Sequence, residues 1–202
     1  MSKKTTALLV IDMQNDFVEG GSLAVKWGLS IVRHINDLMD EYETVVASQD
    51  WHPANHLSFA SQYSDHKVGD FVQLNGQPQI LRPDHCVQKS HWADFVPELN
   101  TKKIDHITRK GTNRQIDSYS AFFDNNHEQK TDLHEYLQNK KITNLVICGI
   151  ATDYCVKATV IDALQLWYAV AVVSKACKAV NINEWDEKKS YEEMEKKWAM
   201  VI

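Results

Sequence analysis

No excess of positive charge runs through this sequence: 22 Lys and Arg face 27 Asp and Glu over 202 residues, a formal net charge of -5. A basic stripe with interleaved aromatics is also lacking, which argues against an electrostatic nucleic-acid binder. Long apolar runs are missing at the start, where Met1-Ser2-Lys3-Lys4-Thr5-Thr6 is followed by only five apolar residues before Asp12. That is too few for a secretory leader or a membrane span, so a cytoplasmic protein with no membrane partner is expected. Cys86, Cys148, Cys155 and Cys177 form neither a CxxC pair nor a zinc-ribbon spacing, which leaves no disulfide framework and predicts free thiols. Repeats and low-complexity tracts are absent. What is present is a hydrophobic content of 44%, enough for one full-sized core, and a single domain over residues 1–202 is expected.

The strand signals are short apolar runs that each end on polar chemistry. Ala7 to Ile11 ends on Asp12, and Thr44 to Ser48 ends on Gln49-Asp50-Trp51-His52-Pro53-Ala54-Asn55-His56. Asp105 to Arg109 is a weaker run ending on Lys110, Leu145 to Cys148 ends on Gly149, and Val170 to Val173 is a last strand. Between them, Ile31, Ile35, Leu38, Met39 and Tyr42 recur at helical spacing, as do Leu133, Tyr136 and Leu137. The stretch after His56, to about Lys103, contains Gly69, Gly76, Pro78, Pro83 and Pro97, and reads as an elaborated irregular region over a site. The tail from Glu184 to Trp198 is charged, with Met194 and Trp198 at helical spacing, and reads as an amphipathic surface helix. Alternating strands and helices predict an α/β fold, an open and mostly parallel sheet with helices on both faces. Such sheets bind ligands beyond the carboxyl ends of their strands, which is where Asp12, Asp50, Lys110 and Cys155 fall.

Gly149-Ile150-Ala151-Thr152-Asp153-Tyr154-Cys155 reads as a sharp turn from strand to helix. Thr152 or Asp153 would cap a helix whose apolar positions are Val156, Val160, Ala163, Leu164 and Trp167. Cys155 would then sit in the first helical turn, where free N–H groups and the helix dipole lower a thiol pKa. A cysteine nucleophile needs a group that takes its proton and returns it to the leaving group, and Asp12 is the candidate, with Lys110 as the orienting charge. Asp50 and His52, two apart on an extended segment, point to one face and suit one metal ion, with His85 as third ligand. A set of Asp and two His with open positions fits a substrate-binding or catalytic Zn²⁺, Fe²⁺ or Mn²⁺, and His56 is either a further ligand or a supporting residue.

Four blocks then carry a resemblance: residues 49–56, Asp84-His85-Cys86-Val87-Gln88, Asp117-Ser118-Tyr119-Ser120-Ala121-Phe122-Phe123 and residues 149–156. Together, in order and spacing, they resemble the bacterial nicotinamidases among the isochorismatase-like cysteine hydrolases, from Ala7 to about Asn183. The resemblance implies a three-layer α/β/α fold and hydrolysis of nicotinamide, and of pyrazinamide in an enzyme of that kind, through a cysteine thioester. It places Asp12, Lys110 and Cys155 at the catalytic positions and Asp50, His52 and His85 at the metal positions. Zinc is the expected ion, with a hold on the pyridine nitrogen as its role. The resemblance also puts Phe17 and Tyr119 in the pocket wall, the Ala151 and Cys155 N–H groups on an oxyanion, and a cis bond between Ile150 and Ala151. The chain departs from the family at Arg82, where Trp is usual, at Lys89, where Gly or Asn is common, and at Lys175, where Asp is usual. Arg82 keeps a second reading alive, a related cysteine amidohydrolase acting on another small amide. Whether the chain works alone or as a homo-oligomer is left open.

Overall fold

The first apolar run forms β1 (Thr6–Ile11), and all six residues are buried, as a strand covered on both faces requires. The structure, a computed structural model, describes residues 3–202; Met1 and Ser2, part of the expected polar start, lie outside it. The other strands are β2 (Val45–Asp50), β3 (Phe71–Leu74), β4 (Gln77–Ile80), β5 (His106–Lys110), β6 (Asn144–Ile150), β7 (Ala169–Lys178) and β8 (Met200–Val201). Six of them make one sheet in the order β5-β2-β1-β6-β7-β8, every pairing parallel, while β3 and β4 form a separate antiparallel hairpin.

The helices are α1 (Val32–Met39), α2 (Leu133–Asn139), α3 (Lys157–Gln165) and α4 (Asp186–Lys196). Helix α1 buries Val32, Ile35 and Met39 and packs against β1 and β7; α3 packs against β7 and against α4. From β1 the chain steps to one side of the sheet, to β2, and from β6 to the other, to β7. The reversal opens a crevice beyond the carboxyl ends of β1 and β6. Asp12 and Cys155 follow those two strands.

Several expectations need correction. The irregular region contains the β3–β4 hairpin, half of whose strand residues are exposed; the signal passed over was Asn75-Gly76, the two-residue turn between the strands, with φ +47° and +77°. The last strand runs on to Lys178 through a slip in register between Ile147 and Gly149, and the two-residue β8 was not expected. Trp167 and Trp198 do not face the core but are 93% and 90% exposed, because α3 ends at Gln165 and α4 at Lys196, before either is reached. Tyr42 likewise lies beyond the end of α1, partly buried against the core.

Gly149 is required where β6 passes β1. Its φ is +120°, and a Cβ there would meet the backbone of Ile11, its register partner. Both the dihedral and the contact penalise any side chain. Gly149→Ala is expected to lose about 3 kcal/mol or more of unfolding free energy, read from urea denaturation; a loss below about 1 kcal/mol would show that the strand ends can separate freely.

Candidate active site

The sheet register assembles the polar groups. Asp50 and Lys110 end adjacent strands as direct partners, so their side chains emerge on the same side at the sheet's carboxyl edge. Asp12 leaves β1 with φ +48°, the left-handed region that Asp tolerates better than bulkier residues. Lys110 is the hub: its Nζ donates to Asp50 Oδ1 at 2.8 Å and to the Ser118 carbonyl at 3.0 Å, lies 2.9 Å from Asp12 Oδ2, and reaches Cys155 Sγ at 3.5 Å. Ser48 donates to Asp12 Oδ1 at 2.6 Å, which pins one carboxylate oxygen. The other, Oδ2, is paired with Lys110 by charge but accepts no directed hydrogen bond, so it retains a lone pair for a further proton.

Charge balance sorts the two carboxylates. Burial acts against ionisation at both, but Lys110 and His52 outweigh it at Asp50 and hold that carboxyl well below the usual range. At Asp12, burial and the negative charge of Asp50 outweigh Lys110, and the pKa rises. Asp12 is therefore the better proton acceptor of the pair. Burial alone would depress Lys110, yet Asp12 and Asp50 push it well above its ordinary value, so it stays a cation.

Cys155 corrects the sequence expectation in two ways. It lies in a π-type turn (Thr152–Val156), closed by Val156 N–H donating to the Ala151 carbonyl at 3.1 Å, and α3 begins only at Lys157. No side-chain cap forms; Asp153 instead accepts from the backbone N–H groups of Val180 at 3.0 Å and Asn181 at 2.9 Å, tying the turn to the loop after β7. The thiol pKa is raised, not lowered: burial dominates, and Lys110 only partly offsets it. The resting group is a thiol, held next to Asp12. The bond between Ile150 and Ala151 is cis.

On the far side of Asp50, the buried residues Asp50, His52 and His85 each offer a ligand atom within 4.8 Å of the others. His52 Nε2 lies 3.5 Å from Asp50 Oδ2 and His85 Nε2 lies 3.8 Å from the same oxygen. The remaining ring nitrogens face carbonyls, His52 Nδ1 that of Gly111 at 2.9 Å and His85 Nδ1 that of Pro83 at 2.8 Å. A carbonyl only accepts, so both rings keep a proton on Nδ1 and turn Nε2 inward; at His52 burial is outweighed by Asp50 and Asp117 and the pKa rises, whereas His85 stays neutral with an Nε2 lone pair. Burial, then His52, depresses His85 to about 4, which keeps it neutral. His52 Nε2 is buried with no hydrogen-bond partner. Two inward Nε2 atoms beside a carboxylate, one of them with no hydrogen-bond partner, are a donor set that fits a divalent ion, which would take the place of a proton at His52.

A cavity of about 250 Å³ joins the two halves, with Cys155, Ala151, Phe17, Tyr119, His85 and Arg82 in its wall. That volume suits a single-ring molecule. Arg82 lies with its guanidinium 5.0 Å from the centre of the Tyr154 ring, so a planar cation over an aromatic stands where the resemblance leads one to expect Trp. Lys89 has φ +65°, a backbone conformation that Gly or Asn adopts at lower cost than Lys. Lys175 is exposed on β7.

Sequence reasoning missed Ser48 and Gln14. Gln14 is fully buried; its amide donates to the carbonyls of Asp50 and Ala93, both at 2.8 Å, and accepts from Asp50 N–H at 2.8 Å, so it fixes the Asp50 backbone. The available signal was a polar residue placed among strand-end residues with no turn chemistry of its own.

Comparison with known proteins follows the same lines. The isochorismatase domain model matches residues 6–202. The Escherichia coli K12 nicotinamidase is 51% identical over 194 residues, covering 93% of this chain and 90% of that protein. A structure of an Acinetobacter baumanii nicotinamidase and pyrazinamidase superposes with a TM-score of 0.94 at 38% identity, covering 98% of this chain and 96% of the other. A pyrazinamidase of Pyrococcus horikoshii in complex with zinc superposes with a TM-score of 0.80 at 33% identity, covering 98% of each chain.

Proposed function

Since the chain belongs to the isochorismatase family and is a nicotinamidase-type hydrolase, we propose that it converts nicotinamide to nicotinate and ammonia through a thioester on Cys155, as one catalytic domain. The observation that carries this reading is the contact of one buried cation, Lys110, with both Asp12 and Cys155. In the first step the Cys155 thiol proton passes to the free lone pair of Asp12 Oδ2 as Sγ bonds to the carboxamide carbon. Lys110 stays charged and offsets the negative charge that develops between them. The N–H groups of Ala151 and Cys155 would hold the oxyanion. As the tetrahedral adduct collapses, the C–N bond breaks and Asp12 gives its proton to the departing nitrogen, releasing ammonia. Water, losing a proton to Asp12, then attacks the thioester; Sγ leaves and regains that proton, and the acid is freed, giving its carboxyl proton to solvent to become nicotinate.

Asp50, His52 and His85 would hold one divalent ion, zinc first, with iron or manganese as the other fitting choices. When bound, it supplies a Lewis acid at the cavity wall that can hold a ring nitrogen. Phe17 and Tyr119 confine the ring between that wall and Cys155. Nicotinamide and pyrazinamide share the carboxamide and a ring nitrogen, and both fit this account. Recycling nicotinamide toward NAD in the cytoplasm is the corresponding role; among the described residues no helix is long and apolar enough to cross a membrane.

The test is ammonia release from nicotinamide by zinc-loaded protein, with Asp50→Ala beside it. Wild type turns over, and Asp50→Ala falls by at least about 100-fold, because it removes both a ligand and a partner of Lys110. Folded, zinc-loaded wild type that releases no ammonia would refute the reading.

A further inference from the structure

The reaction above gives no task to Arg82, although it stands in the same cavity wall as Cys155 and His85. Its backbone is held on both sides: Arg82 N–H donates to the Ser58 carbonyl at 2.8 Å, and Ala60 N–H donates to the Arg82 carbonyl at 2.9 Å. The side chain is half-buried, with its guanidinium 5.0 Å from the centre of the Tyr154 ring. Burial acts against the charge, but Tyr119 and Tyr154 outweigh it and raise the pKa, so Arg82 stays a cation. Neither neighbour brings a carboxylate. Tyr119 is an uncharged phenol, which burial pushes up to about 12. Asp84, two residues on, accepts at Oδ1 from the Ser61 hydroxyl at 2.6 Å instead. Among the described residues, none forms an ion pair with Arg82.

The acidic groups of the wall are already engaged. Asp50 faces Lys110 and His52, while Asp117 accepts from Ser118 N–H at 2.7 Å and lies 3.9 Å from His52 Nε2. Arg82 is therefore the one permanent cation among the described residues of the wall, and its charge is unmatched. Nicotinamide does not match it either: the molecule is neutral, its carboxamide is assigned to Cys155 and its ring nitrogen to the side of Asp50, His52 and His85. A partly desolvated guanidinium favours an anion, and its planar fork of N–H donors fits a carboxylate. Because Arg82 is only half-buried, a substituent on the ring can meet it without entering packed protein. We infer that Arg82 is a specificity-determining residue that binds a carboxylate on the substrate ring, so that the cavity favours single-ring carboxamides bearing a second, anionic group. That carboxylate is held and not altered; the carboxamide reacts at Cys155 as before.

The inference rests on the nicotinamidase reading for the placing of the carboxamide, but its primary test is binding without turnover, so the two can fail separately. Nicotinamides carrying a carboxylate at each free ring carbon in turn are compared with the same rings carrying an acetyl group, which is planar, similar in size and uncharged. Calorimetric titration into zinc-loaded Cys155→Ala should show at least one carboxylate bound at least about 10-fold more tightly than its acetyl counterpart. With Arg82→Gln added, that preference should fall below about 2-fold, while Arg82→Lys, which keeps the charge without the fork, should retain part of it. In the enzyme with Cys155 intact, the same pair should differ in KM more than in kcat. Equal binding within every pair would overturn the proposal, even if nicotinamide itself is hydrolysed. So would a preference that Arg82→Gln leaves undiminished. The pairwise comparison needs no change at Arg82, so it can refute the proposal even if those variants misfold.

Discussion

Cys155→Ala is expected to release no measurable ammonia from nicotinamide, a loss of at least about 10⁴-fold in kcat/KM. The side chain is small and buried at the crevice, and Ala fills most of its volume, so folding and metal binding should be retained. What disappears is the atom that bonds to the carboxamide carbon. Because the resting thiol is protonated and its pKa raised by burial, the enzyme depends on Asp12 to remove the proton during attack. Alkylation of Cys155 by iodoacetamide without substrate should accordingly be slow near neutral pH and accelerate as pH rises. Normal ammonia release by Cys155→Ala would leave the thioester route without support.

Lys110→Met has the second large effect, and it falls on stability as well as rate. The cation is fully buried between Asp12 and Asp50, and removing it leaves two carboxylates facing each other with little water. Breaking a buried charge pair from one side costs about 3–5 kcal/mol. In wild type the depressed Asp50 pKa stabilises the fold above the ordinary carboxylate range, and that contribution is lost as pH falls. In the variant a carboxyl must take up a proton to relieve the repulsion, which raises its pKa and favours acid pH. The deficit relative to wild type is therefore largest near neutral pH and narrows on acidification, as urea unfolding at several pH values would show. A variant as stable as wild type at neutral pH would contradict the charge arrangement.

The sheet was legible because its strands are buried on both faces and so read as unbroken apolar runs ending on functional chemistry; Asp12, Asp50 and Lys110 stand at those ends. The hairpin at Phe71–Ile80 was passed over although Asn75-Gly76 marks its turn, since its half-exposed strands carry only a short apolar pattern. Trp167 and Trp198 misled for a related reason: helical spacing continues in the sequence past the point where the backbone leaves the helix, and both have φ above +60°. At the site, residue identity pointed to the chemistry that charged and metal-seeking groups can perform. Their protonation was hidden. The helix-terminus argument lowers the Cys155 pKa, but burial reverses its sign, and burial is set by the folded arrangement around the cavity that Cys155 shares with Phe17 and Tyr119, distant in sequence. Ser48 and Gln14 escaped notice because each acts through a neighbour, and only the folded arrangement shows which one.

The most direct measurement is the mass of the intact protein quenched in acid during turnover of nicotinamide. The account predicts a nicotinoyl adduct that maps to Cys155, builds up within the first turnover and is missing in Cys155→Ala. Steady ammonia release with no adduct on Cys155, at quench times shorter than one turnover, and undiminished in Cys155→Ala, would contradict it.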